Sequence, residues 1–264
     1  MTEIGREHRK SLDHLMKGMD FLQQSYEQLK LTGAPTTRFL SRMDRARQDL
    51  NELLEALKSG DKNKVVFKAA ICDLDLSTAM KSIMHYIFDL FVKERLPRIP
   101  FWTVPIPRYL GYYISKMVID RFFREHLDRC QVAGSIRRQV PWVEDIDVVV
   151  IPRDFSKLQA AVLQVDPNPT GGTAKVFFRY GLKWDLVVTN KEWWGAQLFE
   201  TTGPAGYVIA YRKRARGQGK LLNNKGLYER LPGNKTGKRL AGRSEKSIYK
   251  ALGKKFKSPP LRGQ

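Results

Sequence analysis

The chain has 264 residues, 42% of them hydrophobic, enough to bury a sound core and to form more than one domain. Its 47 Lys and Arg residues against 27 Asp and Glu give a net charge of +20, which predicts a polyanionic partner, either nucleic acid or an anionic membrane surface. No apolar run is long enough to span a bilayer, residues 1–30 are charged throughout, and Cys72 and Cys130 are isolated. These features exclude a membrane-spanning protein, a disulfide framework and a zinc module, so a soluble intracellular protein is expected.

Residues 1–31 carry Leu12, Leu15, Met16, Met19, Leu22, Tyr26 and Leu29 at three- and four-residue steps, the stripe of an amphipathic helix that Gly33-Ala34-Pro35 ends. A second helix is expected from Thr37, with Phe39, Leu40, Met43, Leu50, Leu53, Leu54 and Leu57 inward and Gly60 as its stop. A third segment over 62–72 and a fourth from Ser77 to about Glu94 complete a helical unit. Asp73-Leu74-Asp75 reads as the loop between them, with Ser77 as an N-cap. His8, His14, His85 and His126 are scattered in helical contexts and form no cluster.

Residues 98–106 form a proline-punctuated linker. Pro107 suits the first turn of a helix whose Leu110, Ile114, Met117, Val118 and Phe122 face the core, leading to a strand near Gln131–Ala133. Val132-Ala133-Gly134-Ser135-Ile136-Arg137-Arg138 follows, and then Glu144-Asp145-Ile146-Asp147-Val148-Val149-Val150-Ile151. Asp145 and Asp147 stand two apart in a β-branched run, so both carboxylates project from one strand face while Ile146 and Val148 take the other. They repel each other unless a cation lies between them, and hard oxygen ligands suit Mg²⁺. Upstream, Gly134 allows a tight turn whose amides, with the Ser135 hydroxyl and Arg138, can hold polyphosphate oxygens. A phosphate grip beside a metal dyad implies phosphoryl or nucleotidyl transfer.

Phe155–Val165 reads as a helix, Pro167–Gly172 as a loop, and 174–180 and Leu182–Val188 as paired strands about a Gly181 turn. Asp185 is the one acid in the apolar run Trp184-Asp185-Leu186-Val187-Val188, costly there unless it meets a cation or donor, which makes it the third metal ligand. Pro204 opens a helix bearing Arg212, Lys213, Arg214 and Arg216, and Lys220–Tyr228 reads as a hairpin turned by Asn-Asn-Lys-Gly. A last helix runs from about Glu245 to Leu252. From Gly206 to Gln264, 17 Lys and Arg face only Glu229 and Glu245, interleaved with tyrosines and turns as in a folded phosphate-binding surface.

Gly134-Ser135-Ile136-Arg137-Arg138 resembles the Gly-Ser-x-Arg-Arg motif of the family X DNA polymerases, the group typified by DNA polymerase beta, and Asp145-Ile146-Asp147 resembles their palm metal dyad. Thr202-Gly203 matches the end of the family's Tyr-Phe-Thr-Gly turn, while Glu200 and Thr201 replace its two aromatics. The resemblance covers about residues 106–264 and is close to compact viral members. It implies an α+β chain: a helical N-terminal unit of unknown role over 1–97, a nucleotidyltransferase palm with a mixed sheet over 98–190, and a small basic thumb-like subdomain over 191–264. Gly-x-Gly hairpins and a marked lyase lysine are absent from the N-terminal unit, so the resemblance does not extend there.

What the resemblance implies is template-directed DNA synthesis by a two-metal mechanism, filling short gaps in repair. Asp145, Asp147 and Asp185 would hold two Mg²⁺ ions, for which Mn²⁺ can substitute. Gly134, Ser135, Arg138, Thr202 and Gly203 would bind a deoxynucleoside triphosphate; Arg212, Lys213, Arg214, Arg216 and Lys220 would bind gapped or primer–template DNA, with Arg212 at the template-contacting position. A template-independent nucleotidyltransferase and a non-catalytic DNA-end-binding scaffold remain open as alternatives.

Overall fold

The computed structural model describes residues 6–31, 37–59, 61–92, 104–171, 174–179 and 182–262. It is a mixed α+β chain in two compact units, Met1–Ile106 and Pro107–Gln264. Among the described residues no helix is long and apolar enough to cross a membrane.

The first unit is three helices: α1 (Arg6–Leu31), α2 (Thr37–Ser59) and α3 (Lys62–Val92). The expected stripes supply its core through Leu15, Met19, Leu22 and Leu29 from α1 and Phe39, Met43 and Leu53 from α2. Met16 and Leu40 turn outward instead, and Phe21, Ala46 and Ala56 are inside, because each helix packs against two others and buries an arc wider than one stripe. The two expected segments over 62–72 and 77–94 are one continuous helix. Nothing from Lys62 to Val92 is Gly or Pro, and Thr78 satisfies its hydroxyl within the helix by donating to the Leu74 carbonyl at 2.9 Å, so Ser77 caps nothing. Asp73 and Asp75 therefore sit on a helix, about 200° apart around its axis, and cannot act as a strand dyad. Gly60, Gly33-Ala34-Pro35 and residues 93–103 lie outside the described residues.

The second unit begins with α4 (Arg108–Val118), whose Leu110, Ile114 and Val118 are buried as expected. A π-turn over Ile119–Phe123 then adds a residue to the helical register, so Phe123 enters the core in place of Phe122, and Met117 is only half-buried. The central sheet runs β1 (Leu127–Val132), β2 (Asp145–Pro152), β3 (Ala174–Arg179) and β4 (Leu182–Val188), in spatial order β1-β2-β4-β3. The first strand starts earlier than residue 131, since Leu127 already pairs with Pro152. β2 and β4 are parallel, whereas β1 and β3 join antiparallel at the two sides.

Helix α6 (Phe155–Val165) packs against the π-turn and β3 and is capped by Asp154, whose side chain accepts from the amides of Ser156 and Lys157. The face of β2 that carries Val149 and Ile151 is covered by α7 (Trp194–Thr202), where Trp194 and Leu198 pack on Ala133, Val149 and Ile151. Gly195 lets α7 approach the Ser244 backbone closely: a Cβ there would come within 2.1 Å of it.

Helix α8 (Ala205–Gly217) leads to a three-stranded sheet of β5 (Lys220–Asn223), β6 (Gly226–Leu231) and β7 (Lys235–Ala241), then α9 (Glu245–Ala251). The expected hairpin is β5–β6. The third strand carries no sequence signal, because Lys235-Thr236-Gly237-Lys238-Arg239 lacks apolar alternation and lies mostly exposed at the sheet edge. Phe199, Tyr207, Tyr211 and Tyr249 form one aromatic cluster between α7, α8 and α9, with the Tyr207 and Tyr249 hydroxyls 2.9 Å apart.

Candidate active site

The strand alternation of β2 places Asp145 and Asp147 on the face shared with Val149 and Ile151, while Ile146 and Val148 are fully buried on the other. Parallel pairing sets Asp147 opposite Asp185 and Asp145 opposite Lys183. Thus the three acids picked out of the sequence stand on two neighbouring, directly paired strands, Asp147 opposite Asp185.

Immediately after β1 the chain turns into the short α5 (Gly134–Arg137), and the Ala133 amide donates to the Asp147 carbonyl at 2.8 Å. Gly134 has φ +54°, and a Cβ on it would lie 1.8 Å from Asp147 Oδ2. Only glycine fits there, both for the left-handed backbone and for the space. The Ser135 hydroxyl is buried without a hydrogen-bond partner, a donor available to a phosphate oxygen.

The electrostatics fit a cation. Burial, then the neighbouring Asp145 and Asp185 charges, push the Asp147 carboxyl up to about 7. Asp145 is likewise raised, mainly by burial, with Lys183 opposing. Burial pulls the Arg138 guanidinium down while Asp147 and Asp145 favour its charge. Lys183, two residues before Asp185 on the same face, donates to Asp185 Oδ2 at 2.8 Å. Among the described residues no three acid, thiol or imidazole groups are gathered closely enough to share an ion, and Lys183 holds Asp185. The donor set is nonetheless that of a hard divalent cation: three carboxylates, one of them pushed up to about 7 by its burial first and by the charges of the other two second.

Two arginines after the Gly134 turn divide the work. Arg138 donates to the Thr202 carbonyl and lies 3.4 Å from where a Cβ of Gly203 would be, so the turn at Thr202-Gly203 is brought next to the dyad. Arg137 donates to Thr202 Oγ1 at 2.6 Å and to Glu245 Oε2 at 2.5 Å. Glu245 also pairs with Arg262 at 2.7 Å, a contact of charges without hydrogen-bond alignment; the Arg262 side chain is fully buried, its guanidinium over Phe199, Tyr207, Tyr249 and Phe256. The Thr202 hydroxyl is therefore already engaged inside the protein.

Of the basic residues expected to meet DNA, Lys213, Arg214 and Arg216 are exposed on α8. Arg212 is half-buried and pairs with Glu200 at 2.7 Å. Lys220 differs: its ammonium donates to the Ala251 carbonyl at 2.7 Å and to Gln218 Oε1 at 3.0 Å, closing the C-terminal end of α9. Sequence reasoning missed Lys183, Glu200, Glu245 and Arg262. Only their charge opposite an acid or base within an otherwise basic or apolar run hinted at pairing, and the partners lie up to 108 residues apart.

Residues 197–263 match the family model described as DNA polymerase beta thumb. Among solved structures the fold is similar to the Leishmania infantum polymerase beta ternary P/T complex, at 16% identity, TM-score 0.53, covering 61% of this chain and 78% of that one. The ternary gap complex of the same protein gives 16% identity, TM-score 0.54, and covers 61% and 72%. No curated protein matches this chain.

Proposed function

We propose that this chain, polymerase beta-like in fold and in its thumb segment, is a template-directed DNA polymerase that adds deoxynucleotides to a primer 3′-hydroxyl and fills short gaps in repair. The observation that carries the reading is Asp147 facing Asp185 across the parallel β2–β4 pair, with Asp145 beside it and Gly134 closed against Asp147. That arrangement sets the Gly134 turn against the Asp147 carboxylate, which supports a phosphate grip beside the acids.

Asp145, Asp147 and Asp185 would hold two magnesium ions, or manganese in their place. When bound, such ions lower the pKa of the attacking 3′-hydroxyl and stabilise the leaving pyrophosphate. The protein's own residues do the rest. The α5 amides and the free Ser135 hydroxyl bind the triphosphate of an incoming deoxynucleotide, and Arg138 adds charge at the same turn. Lys183 neutralises part of the acid charge through its ion pair with Asp185. Thr202 and Gly203, fastened by both arginines, form the wall against which the nucleotide packs. Lys213, Arg214 and Arg216 supply DNA phosphate contacts, which position without reading sequence. The solved P/T and gap complexes of the Leishmania protein support DNA of this kind as the partner.

The test is insertion into a one-nucleotide gap with each of the four templating bases in turn. Incorporation matched to the template is expected. Incorporation that ignores the template would replace this reading with a template-independent transferase, and binding without incorporation in Mg²⁺ or Mn²⁺ would leave a DNA-end-binding scaffold.

A further inference from the structure

Helix α8 carries four consecutive or near-consecutive cations, and one of them is restrained. Lys213, Arg214 and Arg216 are exposed, whereas Arg212 donates through Nη2 to Glu200 Oε1 on α7 at 2.7 Å. The bond is single, and Arg212 Nε is buried without a hydrogen-bond partner. A guanidinium offers a planar fork suited to two parallel bonds, so this pairing leaves half of its capacity unused. Both side chains are partly open to solvent, 39% for Arg212 and 29% for Glu200, so water or another acceptor can reach the pair. A partly open single-bond ion pair is weakly held and gives way to an acceptor that takes two bonds.

Position gives this exchange a consequence. Glu200 lies two residues before Thr202, whose carbonyl accepts from Arg138, and Arg138 feels the charges of Asp147 and Asp145. The Glu200–Arg212 pair therefore bridges the basic helix and the element that walls the candidate active site. We propose that Glu200 is a positioning residue that latches Arg212 in the free protein, and that bound nucleic acid releases the latch by supplying a two-bond acceptor to the guanidinium. Glu200 thereby sets a threshold: a ligand must replace it before Arg212 contributes to binding. The inference rests on the DNA-binding reading given above.

The experiment measures fluorescence anisotropy of a labelled one-nucleotide-gapped duplex at fixed salt, with Tm and gap insertion recorded for each protein. The proteins are the full chain, Glu200→Gln, Glu200→Asp, Arg212→Ala and Glu200→Gln/Arg212→Ala. Glu200→Asp keeps the charge but shortens the reach across the 2.7 Å contact. Release of the latch predicts binding tighter by about fivefold in both Glu200 variants, the scale of a partly open ion pair. That gain disappears when Arg212 is already alanine, a coupling that a merely structural role would not produce. A gain for Glu200→Gln that persists without Arg212, with Glu200→Asp unchanged, would mean simple charge removal and overturn the latch. Unchanged or weaker binding in both Glu200 variants would overturn it as well. A full chain that neither binds nor fills the gap would sink the polymerase reading itself, which is a separate outcome.

Discussion

Replacing Asp147 by Asn in the metal-free protein is predicted to stabilise it near neutral pH. The Asp147 carboxyl has an ordinary value of 3.8 and stands at about 7 in the fold, raised by burial and by Asp145 and Asp185. An acid whose folded pKa is raised binds more protons folded than unfolded. The penalty is therefore absent below about pH 3.8, grows as pH rises toward 7, and is complete above that. The rise from 3.8 to about 7, set by burial first and the two neighbouring charges second, makes removal of the charge worth about 2–3 kcal/mol. For a cooperative unit of this size the gain in Tm is roughly 5–10 °C at pH 8. Thermal unfolding in EDTA at pH 8, 6 and 4.5 reads it directly. The gain should shrink steadily with falling pH. A variant no more stable than the parent at pH 8, or a gain independent of pH, would refute the claim that uncompensated carboxylate charge is concentrated at this site.

Three further predictions follow from particular contacts. Gly134→Ala should abolish gap insertion and lower stability by about 2 kcal/mol or more, because Cβ would overlap the Asp147 carboxylate and the residue has φ +54°; activity assay and denaturant titration check both. Glu245→Gln should cost about 3 kcal/mol, seen as a fall in Tm, since it leaves the Arg262 guanidinium buried and unpaired and loosens Arg137. Replacing Lys213 and Arg214 together by Ala should weaken DNA binding and flatten the slope of log K against log salt by about 0.9 for each lost phosphate contact, while Lys220→Ala should lower Tm and leave the slope nearly unchanged.

What was legible in the sequence was what depends on short-range pattern. The Asp145–Pro152 strand, the Phe155–Val165 helix and the Gly134 turn are specified by residues a few positions apart, through alternation, an Asp cap and a left-handed glycine. Parallel pairing brings Asp185 opposite Asp147 across nearly forty positions, which no local pattern specifies; the need of a lone acid in an apolar strand for a cation or donor is legible, and Lys183 supplies one. The errors came where local signals are permissive. Ser77 is an acceptable cap and also an acceptable helix interior residue, and tertiary packing of α3 against α1 and α2 decided for one helix. The π-turn at Ile119–Phe123 and the polar edge strand Lys235–Ala241 carry no periodic signal. The ion pairs Arg137–Glu245–Arg262 and Arg212–Glu200 join residues that only the folded chain makes neighbours, so their roles as fasteners were invisible from spacing.

The central claim is that Asp145, Asp147 and Asp185 act together in nucleotidyl transfer on DNA. Its most direct test is single-turnover insertion into a one-nucleotide gap by Asp185→Asn in Mg²⁺, with affinity for the same gapped duplex measured in parallel. Template-matched insertion by the parent, lost in the variant at unchanged DNA affinity, is the predicted result. Insertion by Asp185→Asn at the parent's rate would contradict the account.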